Sequence, residues 1–381
     1  MVHSSRNHRA ASIASPTVEP VAVRDDLRGL TGYHSAQVDV AVRLNTNESP
    51  YPPPAAWRAE LAAALDGVEW QRYPDRRAIG LRRAIAALHG VAWEQVFAAN
   101  GSNEVLQSLL LAYGGAGRCV VTFEPTYQLH GHIARLTGAT VVEGERDSEF
   151  GLDAGAAARL IETVQPSVTF LCSPNNPTGR VESPALVRDL LAATPGLLVV
   201  DEAYAQFAKW SALELLAEDV ALCVVRTFSK TWSMAAARLG YLIGPTWLVA
   251  RLEQAVLPYH LDAVTQLAGT LALGHVGEMN ERVDRLVAER ERVTAGLTEL
   301  DVDVFPSGAN FVLFRPRHVD AREIWNGLVE RGVLVRDCSG WPRLDNCLRV
   351  TIGTPAEDDR FLGALAESLE ARPIVAQEVG R

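Results

Sequence analysis

A serine, a lysine and an arginine lie close together after an apolar run at 222–225: Ser229 and Lys230 are adjacent, and Arg238 follows eight positions later. A lysine at the end of a buried strand is poorly hydrated, so it can lose its proton and attack a carbonyl to form a Schiff base. The Ser229 hydroxyl and the Arg238 guanidinium are both suited to hold a phosphate. An aldehyde that carries a phosphate fits this combination, which indicates pyridoxal 5′-phosphate as the cofactor. The alternative is an ordinary Ser-Lys pair on solvated surface, so the rest of the chain must support the cofactor.

Three predicted strands end, in turn, in an amide, a carboxylate and a lysine. They are Val168–Cys172 before Asn176, Leu197–Val200 before Asp201 and Tyr204, and Leu222–Arg226 before Ser229 and Lys230. The carboxyl ends of parallel strands meet at one edge of a sheet, where ligands bind. A buried Asp201 needs a cationic partner there, and a protonated pyridine nitrogen would supply it and make the ring an electron sink. Asn176 and Tyr204 could then donate hydrogen bonds to the phenolate oxygen of the ring.

Two further segments could complete such a site. Residues 100–104 precede a helix, whose exposed N–H groups and dipole would favour a phosphate. An ordinary helix cap at Ser102 or Asn103 is the alternative. Tyr127 could stack on the cofactor ring, or it could be a core aromatic.

The elements that would position these residues alternate between strand and helix from about residue 100 to 245. Further predicted strands are Cys119–Phe123, Thr140–Val142 and Tyr241–Ile243, and predicted helices are Glu104–Tyr113, Ala154–Val164 and Pro184–Ala193. Continuous apolar strands that alternate with helices are typical of a mostly parallel sheet covered on both faces. The predicted fold class is therefore α/β, with a large domain built on a mostly parallel mixed sheet.

The C-terminal part predicts a smaller α/β domain. Its elements are a long helix at Asn280–Leu300, followed by Phe311–Phe314, Ala321–Arg331, Val333–Arg336, Leu348–Ile352 and Glu357–Ala371 in the order strand, helix, strand, strand, helix. We expect the large cofactor-binding domain to span 46–285 and the small domain to combine 21–45 with 286–381. Residues 1–20 contain no continuous apolar core, which argues against a secretory signal and favours a disordered leader.

Composition excludes several kinds of partner. The chain has 381 residues, of which 48% are hydrophobic, enough for one large domain and a smaller one. A formal net charge of −10 argues against a nucleic-acid or membrane-surface partner, which would favour a basic patch. No apolar run reaches the length of about 18 residues that a membrane span needs.

The cysteines indicate a reducing compartment. They are odd in number and scattered, which favours buried small side chains in a cytoplasmic protein: Cys119, Cys172, Cys223, Cys338 and Cys347. No spacing of cysteine and histidine resembles a zinc site, so we expect no metal. The spacing of His130 and His132 is interpreted as incidental rather than as part of a metal site.

Taken together, Asn-Pro-Thr-Gly at 176–179, Asp-x-x-Tyr at 201–204 and Ser-Lys at 229–230 resemble the fold-type I, class-II pyridoxal-phosphate-dependent aminotransferases over roughly residues 25 to 370. The resemblance implies that Lys230 is the catalytic residue, which binds the cofactor covalently and moves the proton. It implies that the cofactor is also bound by Tyr73, Gly101, Ser102, Asn103, Tyr127, Asn176, Asp201, Tyr204, Ser229 and Arg238.

Within that family the chain is similar to the histidinol-phosphate aminotransferases. The motifs that carry this similarity are Leu-Asn-Thr-Asn-Glu-Ser-Pro-Tyr at 44–51, Arg-Tyr-Pro-Asp at 72–75, Leu-Pro-Tyr-His at 257–260, Asn-Phe-Val-Leu-Phe at 310–314, Val-Arg-Asp at 335–337 and Leu-Arg-Val-Thr at 348–351. The similarity implies substrate contacts from Tyr33, Asn47, Tyr259, Arg336 and Arg349. It also implies a homodimer, because Tyr73 matches a tyrosine that reaches the cofactor phosphate of the partner subunit.

The implied reaction is transamination between L-histidinol phosphate and 2-oxoglutarate in histidine biosynthesis. Two arginines suit a dianionic phosphate better than one, and Arg349 would grip the co-substrate carboxylate in a bidentate pair. An aromatic amino-acid aminotransferase and a phospho-amino-acid decarboxylase of the same fold are the alternatives. A non-catalytic paralogue that uses the fold for binding or regulation is a third. The sequence leaves open the substrate preference, the rate-limiting step and the role of segment 338–346.

Overall fold

Residues 21–32 and 36–370 are described by a computed structural model of the chain. The strands are β1 (Val42–Leu44), β2 (Val96–Ala99), β3 (Cys119–Glu124), β4 (Thr140–Glu145), β5 (Val168–Cys172), β6 (Leu197–Asp201), β7 (Leu222–Thr227), β8 (Gly240–Ile243), β9 (Val302–Val304), β10 (Phe311–Pro316), β11 (Val333–Asp337) and β12 (Leu348–Thr351). The helices are α1 (Ala55–Leu65), α2 (Ile79–His89), α3 (Ser102–Tyr113), α4 (Leu129–Leu136), α5 (Ala154–Val164), α6 (Pro184–Ala193), α7 (Thr246–Ala255), α8 (Ala263–Ala272), α9 (Val276–Thr298), α10 (Ala321–Glu330) and α11 (Pro355–Glu370).

A seven-stranded sheet with the order β2-β8-β7-β6-β5-β3-β4 carries the polar strand ends. Strands β4, β3, β5, β6 and β7 run parallel, whereas β8 pairs antiparallel with both β7 and β2. Every residue of β5, β6 and β7 is buried, as expected for strands covered on both faces. The predicted mostly parallel sheet is confirmed.

A second sheet of five strands has the order β1-β11-β12-β10-β9. Its N-terminal strand β1 pairs parallel with β11, with Val42 opposite Val333, while the other pairings are antiparallel. The register places Arg336 directly opposite Arg349. Both sheets belong to the compact unit that begins at Tyr33, and the domain limits expected from the sequence stay a prediction.

Several helix limits follow from local chemistry. Helix α5 begins after Asp153, whose carboxylate accepts from the N–H of Ala156, and α6 begins after Ser183 in the same way. The long helix predicted to start at Asn280 begins four residues earlier, at Val276. No helix in the described ranges is long and apolar enough to cross a membrane.

Two predictions fall outside the described residues. They concern the leader at 1–20 and the side chain of Tyr33. Residues 21–32 contain one short turn of 3-10 helix at Asp25–Leu27.

Candidate active site

A cavity of about 350 Å³ opens at the carboxyl ends of β5, β6 and β7. The topology therefore brings the amide, the carboxylate and the lysine together, as the strand ends predicted. Within the described part of the chain, its lining consists of Thr46, Asn47, Glu48, Ser102, Asn103, Tyr127, Cys172, Asn176, Asp201, Ala203, Tyr204, Thr227, Ser229, Lys230, Ala235, Ala236, Arg238 and Arg349.

Lys230 is half-buried in the wall of this cavity. Its ammonium donates to the carbonyl oxygen of Thr46 at 3.0 Å. Burial, together with the positive charges of Arg349 and Arg238, lowers the pKa of Lys230 to about 7, against an opposing effect of Glu48. A large fraction of the amine is therefore neutral at neutral pH and able to act as a nucleophile or a base.

Asp201 is held at the floor of the cavity by two hydrogen bonds. Its Oδ2 lies 2.8 Å from Nε2 of His130, and its Oδ1 accepts from the backbone N–H of Ala203 at 3.1 Å. An ionised carboxylate can only accept, so this geometry requires the His130 proton on Nε2. His130 is itself fixed by a parallel stack on Phe170, with ring centroids 4.7 Å apart. The spacing of His130 and His132 gave no sign of this role, in which His130 orients the Asp201 carboxylate.

The opposite end of the cavity gathers groups that bind anions. Helix α3 begins at Ser102, Ser229 is buried beside it, and Arg238 donates from Nη1 to the Ser229 hydroxyl at 3.2 Å. Two glycines permit this close approach. A Cβ at Gly101 would lie 2.7 Å from Nη2 of Arg238, and one at Gly240 would lie 2.2 Å from the backbone nitrogen of Ser102.

Asn47 adopts a left-handed backbone conformation, with φ of 56°. The strain is offset by local hydrogen bonds. Its backbone N–H donates to the Thr351 hydroxyl at 2.9 Å, and its side-chain amide donates to the Tyr204 hydroxyl at 2.9 Å. Because that oxygen accepts from Asn47, the Tyr204 proton is left free to be donated elsewhere. Burial raises the pKa of Tyr204, so the hydroxyl stays protonated.

Arg349 is a buried arginine at the other side of the cavity. Its Nη1 donates to the side-chain oxygen of Asn176, and its Nη2 donates to the backbone oxygen of Asn45 at 2.9 Å. Its guanidinium also lies over the ring of Phe311, at 5.1 Å from the centroid. The bond from Arg349 turns the Asn176 oxygen toward the arginine and leaves the amide NH₂ as that residue's donor.

Tyr127 and Asn103 line the cavity together. The Tyr127 hydroxyl donates to Oδ1 of Asn103 at 3.1 Å, and its ring meets the edge of His130 at a centroid distance of 5.3 Å. Tyr127 is therefore fixed by contacts on two sides, and its stacking on a cofactor ring stays a prediction.

Among the described residues, four predicted substrate or cofactor contacts do not line this cavity. One is Gly101, which approaches it through Arg238, and the other three are Arg336, Tyr73 and Tyr259. Arg336 lines a neighbouring pocket of about 240 Å³ with Trp341, whose ring centroid is 5.3 Å from its guanidinium carbon. Tyr73 and Tyr259 stack on each other at 4.5 Å and are 80% and 42% exposed. Neither tyrosine lines the cavity of its own chain.

The prediction missed several residues that line the cavity. Thr46 and Glu48 lie in the motif at 44–51, but no role was assigned to them, and Cys172 ends a predicted strand. They reach the site because β1 and β5 end beside it. A buried carboxylate such as Asp201 requires a partner, and a search for that partner could have identified His130. No local spacing points to that pair, since 71 positions separate them.

Pyridoxal 5′-phosphate fits the donor set of the cavity. The glycine cradle, the N-terminus of α3, the Ser229 hydroxyl and the Arg238 guanidinium suit its phosphate. Asp201 suits the protonated ring nitrogen, and Lys230 suits the aldehyde. The same cavity thus offers suitable groups both to the phosphate of the cofactor and to its ring.

Comparison with known proteins agrees with this chemistry. A family model described as aminotransferase class I and II matches residues 39–365. A histidinol-phosphate aminotransferase of Corynebacterium diphtheriae is 43% identical over 361 residues, which cover 92% of this chain and 97% of the relative. One from Frankia casuarinae is 44% identical over 374 residues, which cover 94% and 92%.

Solved structures show the same fold. The histidinol-phosphate aminotransferase of Sinorhizobium meliloti, solved in complex with pyridoxal-5′-phosphate, matches with a TM-score of 0.81 at 24% identity. The match covers 87% of this chain and 91% of that one. The predicted fold class, a fold-type I α/β transferase with a large and a smaller part, is confirmed.

Proposed function

The chain belongs to the class I and II aminotransferases, and from this we propose that it transfers the amino group of L-histidinol phosphate to 2-oxoglutarate in histidine biosynthesis. The products are imidazole-acetol phosphate and glutamate. The observation that carries the proposal is the convergence of Lys230, Asp201 and Arg349 on one cavity, in a chain whose relatives of that name match nearly end to end.

Pyridoxal 5′-phosphate, when bound, supplies an electron-withdrawing ring that stabilises negative charge on the carbon next to the substrate nitrogen. Asp201 keeps the ring nitrogen protonated, and His130 holds Asp201 in place. Asn176 and Tyr204 donate to the phenolate oxygen. Ser102, Ser229 and Arg238 anchor the phosphate, and Tyr127 stacks on the ring.

Lys230 moves the proton in both half-reactions. With the cofactor bound, the Lys230 amine would be the group that takes up and returns the proton at the substrate carbon. A pKa of about 7 means that the neutral amine predominates above pH 7, whereas the ammonium predominates below it. The proton-transfer step should therefore slow as the pH falls below 7.

The two arginines of the small sheet are proposed to bind the anionic groups of both substrates. Arg349 would bind the 2-oxoglutarate carboxylate directly, since it lines the cavity. Arg336, across the strand pair from Arg349, would bind the phosphate of histidinol phosphate from the adjoining pocket. Asn45 lines that pocket and accepts from Arg349, which connects the two arginines.

Replacing Arg349 by lysine should lower kcat/KM for both substrates by about 10- to 100-fold. The charge remains, but the planar fork that holds Asn176, Asn45 and the substrate together is lost, and each charge-assisted bond is worth about 1.5–3 kcal/mol. Steady-state kinetics with each substrate varied in turn measure the loss. Arg285→Lys, at an exposed position on α9, is the matched control and should behave as wild type. Equal kinetics in the two variants would remove Arg349 from substrate binding.

We infer that the working unit is a homodimer. The stacked rings of Tyr73 and Tyr259 form a surface that we call the aromatic face. Trp70 and Leu257, close to them in the sequence, are exposed as well. Exposed patches of large apolar side chains mark interaction surfaces. A second copy seated on this face could receive the Tyr73 hydroxyl at its cofactor phosphate.

Replacing Tyr73 by phenylalanine should weaken the binding of pyridoxal 5′-phosphate by about 10- to 100-fold, because one hydrogen bond to a charged phosphate is lost. The stack on Tyr259 needs only the ring, so the fold and the dimer should persist. Cofactor titration measures the affinity, and sedimentation equilibrium measures the mass. A fully active monomer would contradict the proposed dimer.

The experiment that tests the proposed function is a donor panel in steady state, with 2-oxoglutarate as acceptor. We expect L-histidinol phosphate to exceed L-phenylalanine in kcat/KM. A preference for phenylalanine would favour the aromatic aminotransferase, and release of carbon dioxide from a phosphorylated amino acid would favour the decarboxylase. Absence of turnover with every donor would favour a binding module. We place the reaction in the cytoplasm, a proposal supported by five cysteines that are all free thiols.

A further inference from the structure

Glu48 is a carboxylate in the cavity that the proposed function leaves unused. Of the described residues that line the cavity, only Asp201 and Glu48 are acidic. Asp201 is engaged by His130 and by the backbone of Ala203. Glu48 has neither a hydrogen bond nor an ion pair with any residue that the structure describes, so its oxygens are available to a ligand.

The backbone around Glu48 is clamped on both sides. Asn47 is held by Thr351 and Tyr204, and its carbonyl oxygen accepts from the side chain of Asn310 at 3.2 Å. The carbonyl of Thr46 accepts from Lys230. The left-handed turn at Asn47 therefore presents Glu48 to the cavity from a rigid support. Its charge acts on Lys230, whose pKa it raises against the larger effect of burial.

A free carboxylate is a disadvantage for the acceptor substrate. The cations Lys230, Arg238 and Arg349 attract anionic groups to the cavity, whereas Glu48 repels the dianion 2-oxoglutarate. The phosphate of histidinol phosphate is repelled too, but this donor, unlike 2-oxoglutarate, also carries a group that can pair with the carboxylate. The donor that we propose carries an imidazole ring, and its ring N–H is a hydrogen-bond donor that a phenyl ring lacks.

We propose that the Glu48 carboxylate accepts the imidazole N–H of the amino donor and thereby selects it over aromatic amines. This inference rests on the proposed function and adds the residue that recognises the imidazole ring of the donor. Glu48 is exposed in the structure, so the ring of the donor would cover it on binding. An analogue that lacks the N–H would cover the carboxylate without pairing it, and a site of that kind rejects such an analogue.

Two donors with the same amine and phosphate test the inference: L-histidinol phosphate and 2-amino-3-phenylpropyl phosphate, which has phenyl in place of imidazole. Glu48→Gln should lower kcat/KM for histidinol phosphate by about 10- to 100-fold, the worth of one charge-assisted bond. The phenyl donor should change by less than about threefold. Glu149→Gln, at an exposed position outside the cavity, is the control and should leave both donors unchanged.

Two further readouts separate this role from a structural one. The KM for 2-oxoglutarate should fall in Glu48→Gln, because the repulsion is removed. In Glu48→Gln the Lys230 nitrogen should lose its proton at lower pH, because Glu48 no longer stabilises the positive charge. The absorbance of the bound cofactor measures this titration. A merely structural defect would raise that KM.

The possible failures are distinguishable. If Glu48→Gln loses kcat/KM equally with both donors, so that the ratio of the two kcat/KM values stays as in wild type, the role of Glu48 is overturned and the proposed function stands. If the wild-type protein instead prefers phenylalanine to histidinol phosphate, the proposed function fails and this inference falls with it.

Discussion

Replacing Lys230 by alanine should abolish transamination while the cofactor still binds without a covalent link. The change removes the anchor for the aldehyde and the group that moves the proton, and general acid–base catalysis alone contributes about 10²–10⁴-fold. The phosphate contacts from Ser229 and Arg238 remain, so the cofactor keeps a site. Single-turnover kinetics of the purified variant measure the loss.

The chain offers a matched control, because Lys209 is its only other lysine and is exposed. Lys209→Ala should retain wild-type turnover. Borohydride reduction of the wild-type holoenzyme, followed by peptide mapping, should place the cofactor on Lys230. Near-wild-type turnover by Lys230→Ala, or a label on Lys209, would remove Lys230 from the mechanism.

Replacing Asp201 by asparagine should lower kcat by about 10²–10³-fold, the usual effect of losing one preorganised electrostatic contact. An amide cannot keep the ring nitrogen protonated, so negative charge on the substrate carbon is poorly stabilised. The fold should persist, because asparagine has nearly the same shape and still accepts from Ala203. Stopped-flow absorbance with bound substrate measures proton abstraction directly.

His130→Phe is the companion variant. It retains a ring to stack on Phe170 but removes the bond to Asp201, so we expect a smaller loss of about three- to tenfold. Together the two variants separate the carboxylate from the residue that positions it. Unchanged proton abstraction in Asp201→Asn would show that this carboxylate is not the partner of the ring.

The centre of the large sheet could be predicted because β5, β6 and β7 are mostly apolar runs that end at or just before polar residues. β5 and β6 followed from this pattern within one residue at each end. Once parallel strands are assumed, their ends must share an edge, and Asn176, Asp201 and Lys230 must converge.

Other elements carry too little local pattern to be predicted. β1 has three residues, and its pairing with β11 joins Val42 to Val333, a contact that depends on the complete fold. The role of His130 depends on the packing of α4 against the sheet. Arg336 and Arg349 could be placed on neighbouring strands from the sequence. Their side chains nevertheless line different pockets, and Arg336 lies against the ring of Trp341, a contact that no local pattern predicts.

The proposed function is tested most directly by mixing the holoenzyme with L-histidinol phosphate in the absence of an acceptor. We expect about one equivalent of imidazole-acetol phosphate per subunit, with loss of the absorbance of the lysine-bound cofactor. Addition of 2-oxoglutarate should restore that absorbance and release glutamate. A cofactor spectrum that histidinol phosphate leaves unchanged, while phenylalanine converts it, would contradict the account.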